Sequence, residues 1–249
     1  MREAFAEGVD IVMVLDTSTS MRAQDFNPNR FEAAKEVGAE FVRGRRSDRV
    51  GLVVFAAKAF TQAPLTLDYD FLLDMLDEVE VGVVEDGTAI GTALAMAVNR
   101  LRETQAASKV VILLTDGQNN RGEIDPVTAA DVAKALGVRV YAIGVGTYGE
   151  APFVIDHPFA GRQRRMMPVE IDEDMLRSVA EKTGGKYYRA TNKDALRDIY
   201  EEIGELEKTK IEERIYSDYA ERYALFLLPA FGFVLLEILL STTRLRRMP

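Results

Sequence analysis

The sequence predicts an α/β fold: a doubly wound, mostly parallel sheet flanked by helices. Short apolar, β-branched runs such as VDIVMVL at 9–15 and VVILL at 110–114 are typical of strands covered on both faces. They alternate with amphipathic stretches of helical spacing, joined by short links. That alternation predicts parallel strands with helices packed on both sides. A length of 249 residues, with 47% hydrophobic and 29% charged, fits a folded chain.

The elements follow one another along the chain. Strands are predicted at 9–15, 50–55, 59–62, 110–114, 138–143 and 186–189. Helices are predicted at 30–43, 69–79, 89–101, 126–136, 172–183 and 192–206. The helix at 126–136 has the clearest ends, with Asp125 as its cap, Pro126 at its first position and Gly137 after its last. Three prolines mark 147–170 as an irregular insertion after the fifth strand.

Composition excludes several classes of function. The net charge of −9 disfavours nucleic-acid binding, which needs a basic face against phosphate. The chain has no Cys, so disulfides, thiolate metal sites and Cys nucleophiles are excluded. The single His, His157, leaves little basis for a multi-His metal site or a His-dependent triad. It stands in the proline-bearing insertion, where we expect a solvated loop residue.

An apolar run at 223–240, YALFLLPAFGFVLLEILL, predicts a transmembrane helix in contact with the lipid bilayer. Its 18 residues would rise about 27 Å; a buried C-terminal core helix is the alternative. Residues 209–222 would link it to the folded domain at 7–208. The tail 241–249 carries Arg244, Arg246 and Arg247. Positive charge after a span favours a cytoplasmic C-terminus, which places the domain on the other side of the membrane.

The first residues, MREAFAEG, conflict with that orientation because they contain no apolar export segment. Either the chain is a fragment without N-terminal membrane segments, or the tail is inserted against the charge rule. The arginine cluster favours the fragment.

Oxygen-bearing side chains follow two of the predicted strands and precede one helix. Asp16, Ser18 and Ser20 come after the first strand, Asp116 comes after the fourth, and Thr88 stands just before a helix. Ligands of open α/β sheets bind at the carboxyl ends of the strands. Two carboxylates and three hydroxyls suit Mg²⁺ or Mn²⁺, with Ca²⁺ also possible, and do not suit Zn²⁺ or Cu²⁺. The two carboxylates balance a dication, which leaves the ion able to accept another carboxylate.

These five residues resemble the metal-ion-dependent adhesion site of von Willebrand factor A (VWA) domains, whose pattern is Asp-x-Ser-x-Ser, a distant Thr and a later Asp. The resemblance covers about residues 7–208. It implies a Mg²⁺ site whose open position takes an acidic side chain from a protein partner. It also implies that Ser18, Ser20 and Thr88 are direct or near-direct ligands, while Asp16 and Asp116 act partly through water.

The flanking sequence resembles the Bacteroides-aerotolerance (Bat) type of bacterial VWA membrane protein. The segments that carry this resemblance are VDIVMVLDTSTSM, DRVGLVVFAAKAFTQAPLTLDYD, DGTAIGTALA, LLTDGQNNRGEIDP, YAIGVGTYGEAP and TTRLRRMP. The resemblance implies an envelope protein of the bacterial inner membrane, related to aerotolerance or stress, with its VWA domain on the periplasmic or outer side. Because no general base, nucleophile or oxyanion arrangement is evident in the sequence, we expect an interaction module and not an enzyme. Its expected partners are other Bat-type VWA proteins and a MoxR-type AAA+ ATPase.

Two alternatives stay open. A phosphoryl-transfer hydrolase would use Asp16 as its nucleophile, although Ser18 stands where a second carboxylate is usual and no lysine is evident. Alternatively, the metal would only brace the fold.

Two further motifs carry less weight. GVGTYG at 144–149 matches a dinucleotide fingerprint, but an insertion and not a helix is predicted after it. Arg162, Arg164 and Arg165 form a basic cluster that we hypothesise steers an acidic partner.

Overall fold

The computed structural model describes residues 8–83, 85–157, 161–220 and 223–243. The chain divides into two compact units, Met1–Glu207 and Lys208–Pro249. The six strands of the main sheet, all in the first unit, are β1 (Val9–Asp16), β2 (Arg49–Phe55), β3 (Ala59–Thr66), β4 (Ser108–Thr115), β5 (Val138–Val145) and β8 (Tyr187–Ala190). Their order is β3-β2-β1-β4-β5-β8, and only β3 runs antiparallel to its neighbour. The predicted α/β class with a mostly parallel sheet is confirmed.

Helices cover both faces of this sheet. They are α1 (Arg30–Arg43), α2 (Tyr69–Asp77), α3 (Ile90–Leu101), α4 (Pro126–Ala135), α5 (Glu173–Lys182) and α6 (Lys193–Ala220). The helices α3, α4 and α5 share one buried cluster with alternate strand residues such as Val12, Val111 and Val140. On the other face α1 packs against α6, where the rings of Phe41 and Tyr200 lie 5.0 Å apart. The central strand β1 is therefore buried along its whole length.

Local capping explains where several helices begin. The side chains of Asn29, Asp68, Asp125 and Asp172 each accept a hydrogen bond from a backbone N–H in the first turn of the helix that follows. A cap of this kind satisfies one of the backbone donors that a helix start leaves free. The capped helix at 126–136 is thus confirmed to within a residue, since α4 ends at Ala135.

The expectation of an irregular insertion at 147–170 is wrong. Two antiparallel strands, β6 (Glu150–His157) and β7 (Gly161–Pro168), form a separate two-stranded sheet there. His157 is therefore the last residue of a strand. Each strand of a two-stranded ribbon has one free edge, and a proline, which lacks an N–H, is tolerated on such an edge. Pro152 and Pro168 consequently do not prevent pairing.

The C-terminal part of the chain is more helical than the sequence predicted. Helix α6 does not end near residue 206 but continues through most of the predicted linker at 209–222 to Ala220. Helix α7 (Tyr223–Thr243) contains the apolar run at 223–240, with Pro229 inside it. Among the residues that the structure describes, no helix combines the length and apolarity that crossing a membrane requires. The predicted transmembrane helix is therefore not supported.

A buried polar cluster holds α6 at the edge of the sheet opposite the carboxyl ends of the strands. Glu207 Oε1 accepts from Arg139 Nε at 2.9 Å and from the Tyr141 hydroxyl at 2.5 Å. Its Oε2 accepts from the Ser108 hydroxyl at 2.7 Å and from the Arg139 guanidinium. Burial alone would raise the pKa of Glu207, but these hydrogen bonds outweigh burial and hold the pKa below its usual 4.5.

Replacing Glu207 with Gln should lower the free energy of unfolding at pH 7 by about 2 kcal/mol. One of the two acceptor oxygens becomes an amide donor, and Arg139 loses its buried counter-charge. The pKa of Glu207 is lower in the folded protein than in the unfolded chain, where it is about 4.5. The stabilisation that the Glu207 carboxylate provides is therefore complete above pH 4.5, and it is lost as the pH falls through the lower pKa of the folded protein. Urea titrations carried from pH 7 to well below pH 4.5 should therefore show the difference in stability between the two proteins shrinking as the pH falls. Glu201→Gln, an exposed change on the same helix, should leave stability unchanged.

Candidate metal centre

The first of the five predicted ligands, Asp16, is the last residue of β1 and is fully buried. Its Oδ1 accepts from the backbone N–H of Ser18 at 2.8 Å, and its Oδ2 accepts from the Thr115 hydroxyl at 2.5 Å. Thr115 ends the neighbouring strand β4. Adjacent parallel strands thus bring the two loops together at the carboxyl edge of the sheet, as the sequence predicted.

Three more of the predicted residues form a chain of short hydrogen bonds. The hydroxyls of Ser18 and Ser20 lie 2.9 Å apart, and the Ser20 hydroxyl donates to Asp116 Oδ1 at 2.6 Å. Ser18 and Asp116 are both buried. The turn after β1 therefore meets the residue after β4 directly, although the two are 96 residues apart in the sequence at the Ser20 contact.

Thr88 completes the set from a third loop. It is buried, and it shares an open cleft with Ser20 and Asp116. The backbone N–H of Thr88 donates to Asn120 Oδ1 at 2.9 Å, and the Thr88 carbonyl accepts from the backbone N–H of Asn120 at 3.1 Å. These two bonds hold Thr88 beside the loop that follows β4. A second tie comes from Asp86, which accepts from the backbone N–H and the hydroxyl of Thr19 at 3.0 and 2.7 Å. The loop before α3 is thereby bound to the loop after β1.

A buried arginine lies behind the site. Arg30, only 1% exposed, donates to Asp116 Oδ2 at 2.7 Å and to both carboxylate oxygens of Asp25 at 2.6 and 2.7 Å. Asp25 also accepts from the backbone N–H and the hydroxyl of Thr147. Arg30 passes so close to Gly146 (φ 147°) that a Cβ there would lie 2.9 Å from the guanidinium carbon. Arg30 thus joins the metal-site loops to the turn after β5.

The charges of this cluster do not balance. Burial, reinforced by the charge of Asp116, raises the pKa of Asp16 from 3.8 to about 7. Burial also raises the pKa of Asp116, in spite of Arg30. The pKa of Asp25, in contrast, is lowered, because hydrogen bonds from Arg30 and Thr147 outweigh its burial. One guanidinium faces three carboxylates, so a dication would complete the charge balance.

The donor set fits a hard dication. Oxygen atoms are the only side-chain donors among the five residues, and hydroxyls make up three of the five. Within the described part of the chain, no group of three or more His, Cys, Asp or Glu side chains could hold a metal by itself. The hydroxyls are therefore essential to any metal site here, and ligation by these five residues stays a prediction.

The cleft above the site has a volume of about 670 Å³ and two unlike sides. Ser20, Thr88 and Asp116 form the polar side. The β6–β7 hairpin forms the other side, with Phe153, Met167 and Pro168 among its lining residues. The predicted insertion is thus a wall of the site.

Sequence reasoning missed Arg30, Asp25 and the hairpin. Arg30 did carry a signal, because it stands in the first turn of α1, where the helix dipole disfavours a cation. A cation placed there suggests a nearby anion, although nothing in the sequence identifies Asp116 as its partner. The basic cluster is only partly placed: Arg164 and Arg165 are exposed on β7, whereas the Arg162 side chain lies outside the described residues.

The dinucleotide-like motif at 144–149 does not open a helix. It spans the end of β5 and the turn into β6. Without a helix N-terminus after the strand, the motif has no means of holding a pyrophosphate as a fingerprint of that type would.

The fold and the site together define an α/β domain with an oxygen-rich binding site at the carboxyl edge of its sheet. The chain belongs to the von Willebrand factor type A domain family, whose model matches residues 10–202. The resemblance inferred from the sequence is confirmed.

Relatives are found among bacterial proteins. An uncharacterized protein of Borreliella burgdorferi is 31% identical over 237 residues, covering 94% of this chain and 69% of that protein. A UPF0353 protein of Nocardia farcinica is 28% identical over 212 residues, and the match covers 78% of this chain and 62% of that protein. Such relatives are therefore longer than the stretch they share with this chain.

Solved structures agree with the Bat-type resemblance. An aerotolerance-related membrane protein from Bacteroides fragilis is 32% identical, with a TM-score of 0.68 over 78% of this chain and 98% of its own. BatB from Bacteroides thetaiotaomicron is also 32% identical, with a TM-score of 0.70 over 81% of this chain and 100% of its own. Proximal thread matrix protein 1 from the mussel byssus has a zinc-occupied metal-ion-dependent adhesion site. It is 27% identical, with a TM-score of 0.63 over 81% of this chain and 46% of its own.

Proposed function

We propose that this protein is a non-enzymatic interaction module that binds an acidic side chain of a partner protein through a divalent metal, Mg²⁺ in the cell. Asp16, Ser18, Ser20, Thr88 and Asp116 would hold the ion. The observation that carries the proposal is the convergence of these side chains at one edge of the sheet with an uncompensated negative charge. The zinc-occupied site of the mussel protein supports a divalent metal at the corresponding motif, and it shows that the motif can also hold Zn²⁺, which the donor types alone disfavour.

Each side chain has a distinct part in this proposal. The Ser18, Ser20 and Thr88 hydroxyls offer neutral oxygens, and Ser20 and Thr88 line the cleft. Asp16 and Asp116 supply the charge from buried positions. A bound dication would supply an electrophilic position for a partner carboxylate. Because hydroxyls add no negative charge, Asp16 and Asp116 only balance the dication and leave it able to accept that carboxylate, although Glu170 also lines the cleft.

Membrane association is part of the proposal. The described side chains of α7 include a long series of exposed apolar residues, among them Phe231, Phe233 and Leu239. Exposed apolar surface of this extent is typical of protein or membrane contact. The Bacteroides fragilis relative is described as an aerotolerance-related membrane protein. We propose that the chain acts at a bacterial inner membrane, with 223–240 as the segment in contact with the lipid.

The partners that we propose are other Bat-type VWA proteins and a MoxR-type AAA+ ATPase, in a process related to aerotolerance or stress. This part depends on the family resemblance. The acidic character of the chain, −9 overall, supports protein partners over nucleic acid.

A hydrolase that uses Asp16 as its nucleophile is disfavoured. Both Asp16 oxygens already accept hydrogen bonds, and the side chain is fully buried at the end of its strand. A nucleophile must reach the substrate, and a carboxylate with no exposed surface is poorly placed to do so. No lysine lines the cleft that contains Ser20, Thr88 and Asp116, within the residues described.

Calorimetric titration of the metal-stripped chain with Mg²⁺ tests the proposal. Ser18→Ala should weaken Mg²⁺ binding at least about tenfold, because one oxygen ligand is lost. Ser178→Ala, a serine change on α5, should leave the affinity unchanged. The same pair should differ in a pull-down from bacterial membranes, where wild-type capture requires Mg²⁺ and is lost with chelator. Equal Mg²⁺ affinity in both variants would contradict the proposed site, and phosphatase turnover lost in Asp16→Asn would favour the hydrolase.

A further inference from the structure

We propose that the β6–β7 hairpin is a second contact surface for the same partner, and that it selects an acidic residue with an apolar neighbour. This inference rests on the proposed function and adds the chemistry of the partner segment. The residues that carry it are Phe153 and Met167, which line the same cleft as Ser20, Thr88 and Asp116.

The register of the hairpin explains why these two side chains act together. Ala151 pairs with Met167 and Phe153 pairs with Arg165, so all four side chains lie on one face of the ribbon. Ala151 is fully buried, which shows that this face is turned toward the domain. Phe153 is half-buried, while Met167 remains 39% exposed. An accessible apolar surface therefore lies in the cleft beside the proposed ligands.

The hairpin is tied to the metal-site loops at its base. The backbone N–H of Gln24 donates to the Pro152 carbonyl at 2.8 Å. Next to Gln24, Asp25 receives the hydrogen bonds of Thr147 and of Arg30, which also binds Asp116. These bonds set the position of the apolar wall relative to the carboxylate site. A partner segment can therefore meet both with little ordering cost in the hairpin.

Charge complementarity identifies the occupant. A metal-bound carboxylate requires an acidic side chain on the partner. Arg165 pairs with Phe153 across the hairpin and is exposed, so it adds positive charge on the same face of the ribbon. The side chains of Phe153 and Met167 line the cleft beside the proposed ligands and offer no hydrogen-bond donor to the partner. The segment that fits is an Asp or Glu flanked by an aliphatic residue such as Leu.

Two fluorescein-labelled peptides test this inference by fluorescence polarisation with the full chain. One is acetyl-Gly-Gly-Asp-Gly-Gly and the other is acetyl-Gly-Leu-Asp-Leu-Gly, each measured with saturating Mg²⁺ and with EDTA. The Leu peptide should bind about tenfold more tightly, because part of a leucine side chain leaves water. An Asn-for-Asp version of it should lose metal-dependent binding.

Substitutions of Met167 on the β6–β7 hairpin separate the preference for the Leu peptide from the binding of Mg²⁺. Met167→Ser should remove most of the preference for the Leu peptide while leaving the Mg²⁺-induced rise in melting temperature unchanged. Met167→Leu should retain the preference, as should Val132→Ser, a change at an exposed valine on α4. Equal binding of the two peptides to the wild type, or an undiminished preference in Met167→Ser, would overturn the inference and leave the proposed function standing. Absence of metal-dependent binding of either peptide would overturn both.

Discussion

Replacing Arg30 with alanine is expected to lower the free energy of unfolding of the metal-free protein by about 3–5 kcal/mol. The guanidinium is 1% exposed and donates to two carboxylates, Asp25 and Asp116, whose side chains are 3% and 0% exposed. Removing it leaves both carboxylates buried without their cation, which is the costly way to break a buried ion pair. Urea unfolding followed by circular dichroism in the presence of EDTA measures the loss.

Two controls identify the source of that loss. Lys182→Ala breaks an exposed pair with Asp131, where water screens both charges, so its effect should stay below about 1 kcal/mol. Adding Asp25→Asn to Arg30→Ala should restore part of the stability, because one of the two orphaned charges is removed. A loss in Arg30→Ala no larger than that of Lys182→Ala would mean that Arg30 does not compensate the buried carboxylates.

The contrast between Asp16 and Arg30 shows what sequence patterns can reveal about this site. Asp16, Ser18 and Ser20 are close in the chain, and Asp116 follows a strand that the sequence identifies by its apolar run. Since the carboxyl ends of parallel strands share one edge, their proximity follows from the fold class. Arg30 contacts a residue 86 positions away. A contact of that kind depends on how α1 packs, which no local pattern specifies.

The hairpin and the end of α6 were missed for different physical reasons. The prolines at 152 and 168 indicate breaks in a central strand, but they are harmless on a ribbon with free edges. At 209–220 the sequence is mostly charged or polar. Its apolar residues at helical spacing, Ile211, Ile215 and Tyr219, form too short a pattern to distinguish a helix from a linker, and the structure continues α6 there to Ala220. Sequence reasoning is therefore strongest where burial imposes a regular apolar pattern and weakest where no such pattern marks the element.

Asp16→Asn is expected to abolish the stabilisation that Mg²⁺ gives the protein while leaving the metal-free form as stable as the wild type or more so. The carboxylate is fully buried beside Asp116, so ionising it in the absence of a cation is unfavourable. Asparagine has nearly the same shape. Its carbonyl oxygen can accept from Ser18, and its amide can donate to the Thr115 hydroxyl, which can also act as an acceptor.

Thermal unfolding with and without Mg²⁺ measures the effect. At a Mg²⁺ concentration 100 times its Kd, the wild type should gain about 2.7 kcal/mol, a rise of roughly 5–10 °C in Tm for a domain of this size. Asp16→Asn should show no rise. Asp10→Asn is the matched control, because Asp10 is also a buried carboxylate on β1 but pairs with Arg49 outside the site. It should be less stable than the wild type yet keep the full Mg²⁺ shift.

A Mg²⁺ shift that survives in Asp16→Asn would show that this carboxylate does not hold the ion. A metal-free Asp16→Asn as unstable as Asp10→Asn would show that the Asp16 charge stabilises the fold without a metal.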